Sequence, residues 1–279
     1  MRMLDYRVQA TTAVEADIGF LVPHAGPLFT YGRNAPPGAQ PENTRFEPRR
    51  VLIADARSSA PLTLGANAVT FGRWPTVVRD FADEADLRKR YYAEAAEIIR
   101  AELQAERVLV FDHNVRRGEA LPIQPEHYAE ARPVLHAHVD YTSTSAPMRL
   151  QRELDLMAAH QEYRRLVQVN LWRPLRAPLR DAPLAVCDGA SVESGQLRRV
   201  ELRYPDRVGE IYYLEYAPQQ RWYYAPDMGV EEAWLFKNYD SAAAPCQPGL
   251  APHSAFYDPR WKRVTPRESI EVRAFALFG

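Results

Sequence analysis

The spacing of apolar residues changes character at about position 105. Before it, "DFADEADLRKRYYAEAAEIIRAELQA" puts Leu87, Tyr91, Ala95 and Ile98 at helical intervals, with acidic residues early and neither Pro nor Gly, which predicts a helix over 80–105. After it, short β-branched and aromatic runs dominate: "RVLVFDH", "VLHAHVDY", "RRLVQVNLW", "EIYYLEY", "RWYYAP", "AWLFKNYD", "HSAFYD" and "ESIEVRAFAL", each bounded by turn residues. A second helix is expected over 148–160. Residues 20–80 are rich in Pro, Gly, Asn and Arg around two short apolar runs, "VLIAD" and "AVTFGRW", and read as loops between short strands that wrap a core. Many short strands with few helices predict a mainly β fold with flanking helices (α+β), built on a sandwich or jelly-roll core. No repeat, linker or low-complexity block divides it. The expectation is a single domain over 1–279: a loop-rich leader to 80, the helix over 80–105, and the β core over 107–279.

Composition agrees with this and narrows the partners. With 279 residues, 46% hydrophobic and 25% charged, the chain can bury a sizeable core. Its net charge of -1 offers no basic excess for nucleic acid or an anionic membrane, so neither is expected as a partner. Cys187 and Cys246 are too few for a disulfide framework and read as plain thiols. The first residues carry acids where a secretory leader would be apolar, and no run approaches the length of a membrane span, so a cytoplasmic location is expected.

The candidate chemistry sits in "HAHVDYTSTSA". His136, His138 and Asp140 alternate, and in a strand all three could face one point. A non-haem Fe(II) oxygenase site needs two imidazoles and a carboxylate on one side of the metal. His-x-Asp supplies two donors, and of the 7 histidines His253, in "PHSAF", is the outstanding candidate for a third donor from a distant strand. On its own, His-x-Asp also fits a solvated strand end. At the far end of the chain, "TPRESIEVRAFALF" read as a strand places Arg267, Ser269, Glu271 and Arg273 on one face and Ile270, Val272 and Ala274 on the other. Arg-x-Ser offers a guanidinium fork and a hydroxyl to a carboxylate. The same pattern fits an exposed edge strand with its own Arg–Glu pairing.

Taken in order, "RVLVFDHNVRR", "HVDYTSTSA", "VNLWRPL", "RWYYAPDMGVEEAWLFKNYDS", "PHSAFYDP" and "PRESIEVRAF" resemble the cephem-methoxylase-related hydroxylase/desaturase family. The resemblance runs from about Val51 to the end of the chain. It implies a double-stranded β-helix (cupin-like jelly roll) and an Fe(II)/2-oxoglutarate-dependent dioxygenase of secondary metabolism, consuming O2 and oxidising an unactivated C–H of a small, amino-acid-derived or peptide-like molecule. By the same resemblance His138, Asp140 and His253 hold the metal, and Arg267 and Ser269 bind the distal carboxylate of 2-oxoglutarate. Asn170 is a candidate donor to 2-oxoglutarate or substrate, and Tyr141, Arg149 and Arg173 are substrate-binding candidates, Arg149 as a clamp on an anionic group.

His136 is expected to support its strand rather than ligate. Asp112 and His113, being adjacent, point to opposite faces of a strand and read as structural. Trp172, Tyr223, Tyr224 and Lys237 read as packing. Two rival functions fit the same residues: an iron oxygenase of the isopenicillin N synthase type, in which Arg267 and Ser269 would grip the substrate instead, and a binding jelly roll without catalysis.

Overall fold

In the computed structural model, which describes residues 13–31, 35–117, 133–159, 162–243, 248–262 and 264–279, the two periods of the sequence become two facing sheets and a helical layer. In chain order the strands are β1 (Val14–Leu21), β2 (Leu28–Tyr31), β3 (Phe46–Asp55), β4 (Val69–Arg73), β5 (Arg107–Arg117), β6 (His138–Val139) and β7 (Arg165–Pro174). They continue with β8 (Leu184–Cys187), β9 (Leu197–Arg203), β10 (Val208–Leu214), β11 (Trp222–Tyr224), β12 (Glu232–Asp240), β13 (His253–Ala255) and β14 (Glu268–Phe278). The smaller sheet has the order β4-β12-β7-β14-β5 and the larger β1-β3-β11-β8-β13-β6-β10-β9-β2.

Alternation along β7 and β14 decides which residues meet the helix and which meet the site. Val167, Val169 and Leu171 of β7 and Ile270, Val272, Ala274 and Ala276 of β14 are buried against Leu87, Tyr91, Ala95 and Ile99. The opposite face carries Gln168, Asn170 and Trp172, with Ser269, Glu271 and Arg273. The helical layer starts at Glu84–Asp86, capped by the Asp83 carboxylate, which accepts from the Ala85 and Asp86 N–H groups. It passes through a π-helical turn at Leu87–Tyr91 and continues as Tyr92–Leu103. The wider turn rotates the following residues, so Ile99 takes the fully buried place expected of Ile98, which packs only at the margin.

The larger sheet curls until β1 reaches the stretch before β6. The Gly19 N–H donates to Leu135 O at 3.0 Å and the Ala137 N–H donates to Gly19 O at 2.8 Å. A Cβ on Gly19 would meet Leu135 O at 2.8 Å, so this approach requires glycine. "VLHAHVDY" forms only the two-residue β6, because the chain turns straight into a helix, Ser145–Leu156, three residues earlier than expected. Thr142 Oγ1 accepts from the Thr144 and Ser145 N–H groups at 3.2 and 3.0 Å, so the hydroxyl run starts that helix. His160, at the end of the expected helix, and Cys246 lie outside the described residues. Cys187 is a buried free thiol. Among the described residues, no helix is long and apolar enough to cross a membrane.

Lys237 is more than packing. Its ammonium, buried in β12, donates to Asp240 Oδ2 at 2.8 Å, while Arg165 grips both Asp240 oxygens at 2.9 and 2.6 Å. Burial works against the Asp240 carboxylate, but Arg165 and Lys237 outweigh it and hold its pKa below the usual range. Asp240→Asn should therefore cost about 3 kcal/mol by leaving the Lys237 charge buried without a counterion. A depressed carboxylate contributes stability above its unfolded pKa and loses it as pH falls through the folded one, so the gap between wild type and variant in urea melts should close below about pH 4. An unchanged gap there would contradict this.

Candidate metal centre

The register of two short strands brings the histidines together. His253 of β13 pairs directly with His138 of β6, and their rings lie 4.3 Å apart at the centroids. Asp140 follows where the chain leaves β6. One nitrogen from each imidazole and one Asp140 oxygen lie within 4.8 Å of one another, with His138 Nε2 3.5 Å from Asp140 Oδ1. His138 Nδ1 is 2.9 Å from the carbonyl of His136; a carbonyl only accepts, so Nδ1 carries a proton, and in the neutral ring Nε2 is the nitrogen that presents a lone pair. Burial, with His138 alongside, pushes the pKa of His253 down to about 3, which keeps its imidazole neutral as ligation requires. The His136 ring turns away, stacked on Phe46 at 4.1 Å and edge-on to Tyr213. It therefore supports the strand, and its carbonyl sets the tautomer of His138.

Asp140 is fixed from three further strands. Asn170 Nδ2 on β7 donates to its Oδ2 at 2.8 Å, and Gln168 holds that amide in turn by donating to Asn170 Oδ1 at 3.1 Å. A bulge in β12 between Lys237 and Tyr239 aims Asn238, whose Oδ1 accepts from the Asp140 N–H at 3.0 Å. Arg273 Nε on β14 donates to Oδ2 at 3.2 Å. Burial alone would raise the pKa of Asp140, but Arg273, His253, His138 and Asn170 together keep it well below the carboxylate range.

Two spaces meet at this cluster. A small void of about 30 Å³ is bordered by His138, Asp140, His253, Trp172, Glu271 and Arg267. At its wall Arg267, buried over the Trp172 ring, donates through Nη1 to Ala182 O at 2.6 Å. Its Nε, and the hydroxyl of Ser269, are buried without a partner among the described residues. Burial, and Arg116 nearby, push the pKa of Arg267 down to about 9, the mark of a cation short of an anion. On the other side a cavity of about 740 Å³ opens between the helix Ser145–Leu156 and the β9–β10 hairpin, reaching Asp140, Arg273 and Asp112.

The remaining candidates divide between these spaces and the exterior. Tyr141 and Arg149 line the large cavity. Tyr141 lies near Phe111 and Phe275, with ring centroids 6.3 and 6.4 Å away, and the Arg149 guanidinium sits 4.9 Å over Phe111. Asn170 faces the site, though its amide is committed to Asp140 and Gln168. Arg173 corrects the substrate-binding expectation: it falls on the helix-facing side of β7 with Leu171, fully buried, with its guanidinium 5.2 Å over the Tyr91 ring. Asp112 and His113 do diverge: His113 Nδ1 meets the Tyr92 hydroxyl at 2.8 Å, while Asp112 accepts from Arg273 Nη1 at 3.0 Å. The structure adds Asn238, which no motif singled out, and brings to the site Arg273, read before only as part of a strand face, and Asp112, read as structural.

Two imidazoles and one ionised carboxylate are a donor set suited to Fe(II), and the Arg267 Nε and Ser269 Oγ, unpartnered among the described residues, suit a carboxylate of 2-oxoglutarate, so these residues fit both groups in their chemistry.

Comparison with known proteins points the same way. Residues 18–277 match the family described as Oxidoreductase/YMDC permease-like domain. The chain is 30% identical over 237 residues to the alpha-ketoglutarate-dependent dioxygenase phiK of Fungal sp., covering 82% of this chain and 84% of that protein. It is 30% identical to the hydroxylase/desaturase efuI of Hormonema carpetanum over 262 residues, 84% of this chain and 85% of the relative. Against the Fe(II)/2-oxoglutarate-dependent dioxygenase nvfI of Aspergillus novofumigatus it is 30% identical over 283 residues, covering 98% and 99% of the two chains. A solved structure of the iron and alpha-ketoglutarate-dependent endoperoxidase NvfI superposes with a TM-score of 0.80 and 26% identity over 96% of this chain and 99% of that one.

Proposed function

This chain belongs to the family of iron- and 2-oxoglutarate-dependent dioxygenases and hydroxylase/desaturases represented by these relatives, and from that premise we propose how its own residues divide the work. It is an Fe(II)/2-oxoglutarate-dependent oxygenase of secondary metabolism on a jelly-roll core. His138, Asp140 and His253 hold the iron. Arg267 and Ser269 bind the far carboxylate of 2-oxoglutarate, the small void of about 30 Å³ at Arg267 widening to admit it. The large cavity takes the substrate. The observation that carries this division is the position of the cluster between two spaces of different character, one ending at a buried guanidinium without its anion and the other open to solvent.

Bound iron, with 2-oxoglutarate and O2, supplies the oxidising power that removes hydrogen from an unactivated C–H, with release of succinate and CO2. The chain supplies position and exclusion of water. His138 Nε2 and the neutral His253 imidazole face the same point as Asp140 Oδ1, while Asp140 Oδ2 is tied back by Asn170 and Arg273. Trp172 backs the Arg267 guanidinium and keeps that end of the void apolar around its charge.

At about 740 Å³ the large cavity suits a drug-sized metabolite rather than a free amino acid. Its rim carries Met148 and Val208, 62% and 57% exposed, which offer apolar contact to the substrate body, while Arg149 lies deeper. Whether the product is hydroxylated, desaturated or cyclised depends on how that body is held beside the metal. Oxygen-electrode assays with quantified succinate test the reaction class: one succinate is expected per O2 consumed. O2 uptake with a candidate substrate and no succinate would overturn the 2-oxoglutarate reading in favour of chemistry of the isopenicillin N synthase type.

A further inference from the structure

The Arg273 guanidinium distributes its nitrogens over three carboxylates. Nε donates to Asp140 Oδ2 at 3.2 Å, Nη1 to Asp112 Oδ2 at 3.0 Å and Nη2 to Glu271 Oε1 at 3.2 Å. With the Asn114 amide turned so that its oxygen faces inward, that oxygen also accepts from Nη2 at 2.7 Å. The Arg273 side chain is only 17% exposed, on the side of the large cavity, and although burial disfavours its charge, Asp140, Glu271, Tyr141 and Asp112 hold its pKa well above the usual value. The three acids belong to different compartments. Asp112 lines the large cavity, Glu271 lines the small void, and Asp140 borders both. A planar fork can satisfy three acceptors at once, which an ammonium cannot do with fixed directions.

We propose that Arg273 is a positioning residue that fixes Asp140 as a one-oxygen metal ligand and transmits to it the contents of the two pockets. By binding Oδ2 together with Asn170, it leaves Oδ1 to the metal and opposes chelation through both oxygens. Its second arm ends on Asp112 in the large cavity, so an occupant there that bonds Asp112 alters the pull on Oδ2. The third arm ends on Glu271, beside the place assigned to 2-oxoglutarate. Outer partners of this kind orient a ligand and tune the bound metal.

This inference rests on His138, Asp140 and His253 being the metal ligands, and a single titration separates the two claims. Co(II) is added anaerobically to the full chain and followed by its d–d absorption. The variants are Arg273→Lys, which keeps the charge and loses the fork, and Asp112→Asn, which removes one outer anchor; circular dichroism checks that each is folded. Each should bind Co(II) about ten- to a hundredfold more weakly, with a changed d–d band shape, in the range for outer partners of ligands. If Arg273→Lys fails to fold, Asp112→Asn decides alone. Folded variants with the affinity and band of the wild type would overturn the role of Arg273. A wild-type chain that binds no Co(II) would instead overturn the ligand assignment.

Discussion

Turnover in His138→Ala is expected to fall by more than about a thousandfold, because the oxidation is carried out at the metal and one remaining imidazole with Asp140 cannot hold it. The expected cause is loss of iron, not of the fold: His138 lies at the end of a two-residue strand, and its backbone pairing with Tyr213 and His253 does not depend on the ring. Metal analysis after dialysis should show the variant empty where the wild type retains one iron per chain, with matching circular dichroism. A His138→Ala protein with a full complement of iron and wild-type turnover would show that the metal is held elsewhere. His253→Ala should lose the metal equally, but its imidazole is also packed 4.6 Å from the Phe236 ring, so some loss of stability is expected there as well.

Arg267→Gln is expected to weaken 2-oxoglutarate binding by more than a hundredfold, about 3 kcal/mol, the scale for breaking a buried charge-assisted pair. Glutamine cannot supply the fork that Arg267 presents beside Ser269, yet it removes the buried charge and so leaves no unpaired cation. Co(II) affinity should stay as in the wild type, since Arg267 touches none of the three ligands. Isothermal titration of 2-oxoglutarate into the Co(II)-loaded proteins reads both. Unchanged 2-oxoglutarate affinity in the variant, with weakened substrate binding, would move Arg267 and Ser269 to the substrate side of the site.

The cluster proposed to hold the metal was legible because each member carries a local signal: a His-x-Asp spacing for His138 and Asp140, and a late Pro-His for His253. The two-sided pattern of β14 was also legible, although its polar face proved to be the inside of the barrel rather than an exposed edge. Alternation, applied more strictly, would have separated Asn170 from Arg173, since residues three apart in a strand lie on opposite faces. It would likewise have found β1, whose Val14, Ala16, Ile18 and Phe20 are buried beside exposed Glu15 and Asp17. Other features depend on pairing between distant strands. Arg273 stands opposite Asp112 only through the register of β14 with β5, and Asn238 reaches Asp140 only because β12 bulges beside it. Neither register nor bulge leaves a mark in a single sequence, and the π-turn that buries Ile99 in place of Ile98 is equally silent.

The claim that His138, Asp140 and His253 present iron to a 2-oxoglutarate held by Arg267 is tested most directly by anaerobic absorption spectroscopy. Adding Fe(II) and then 2-oxoglutarate to the wild-type chain should produce the weak visible metal-to-ligand charge-transfer band, which needs both additions. The band should be absent in His138→Ala and should appear in Arg267→Gln only at far higher 2-oxoglutarate. No band in the wild type, or an undiminished band in His138→Ala, would contradict the account.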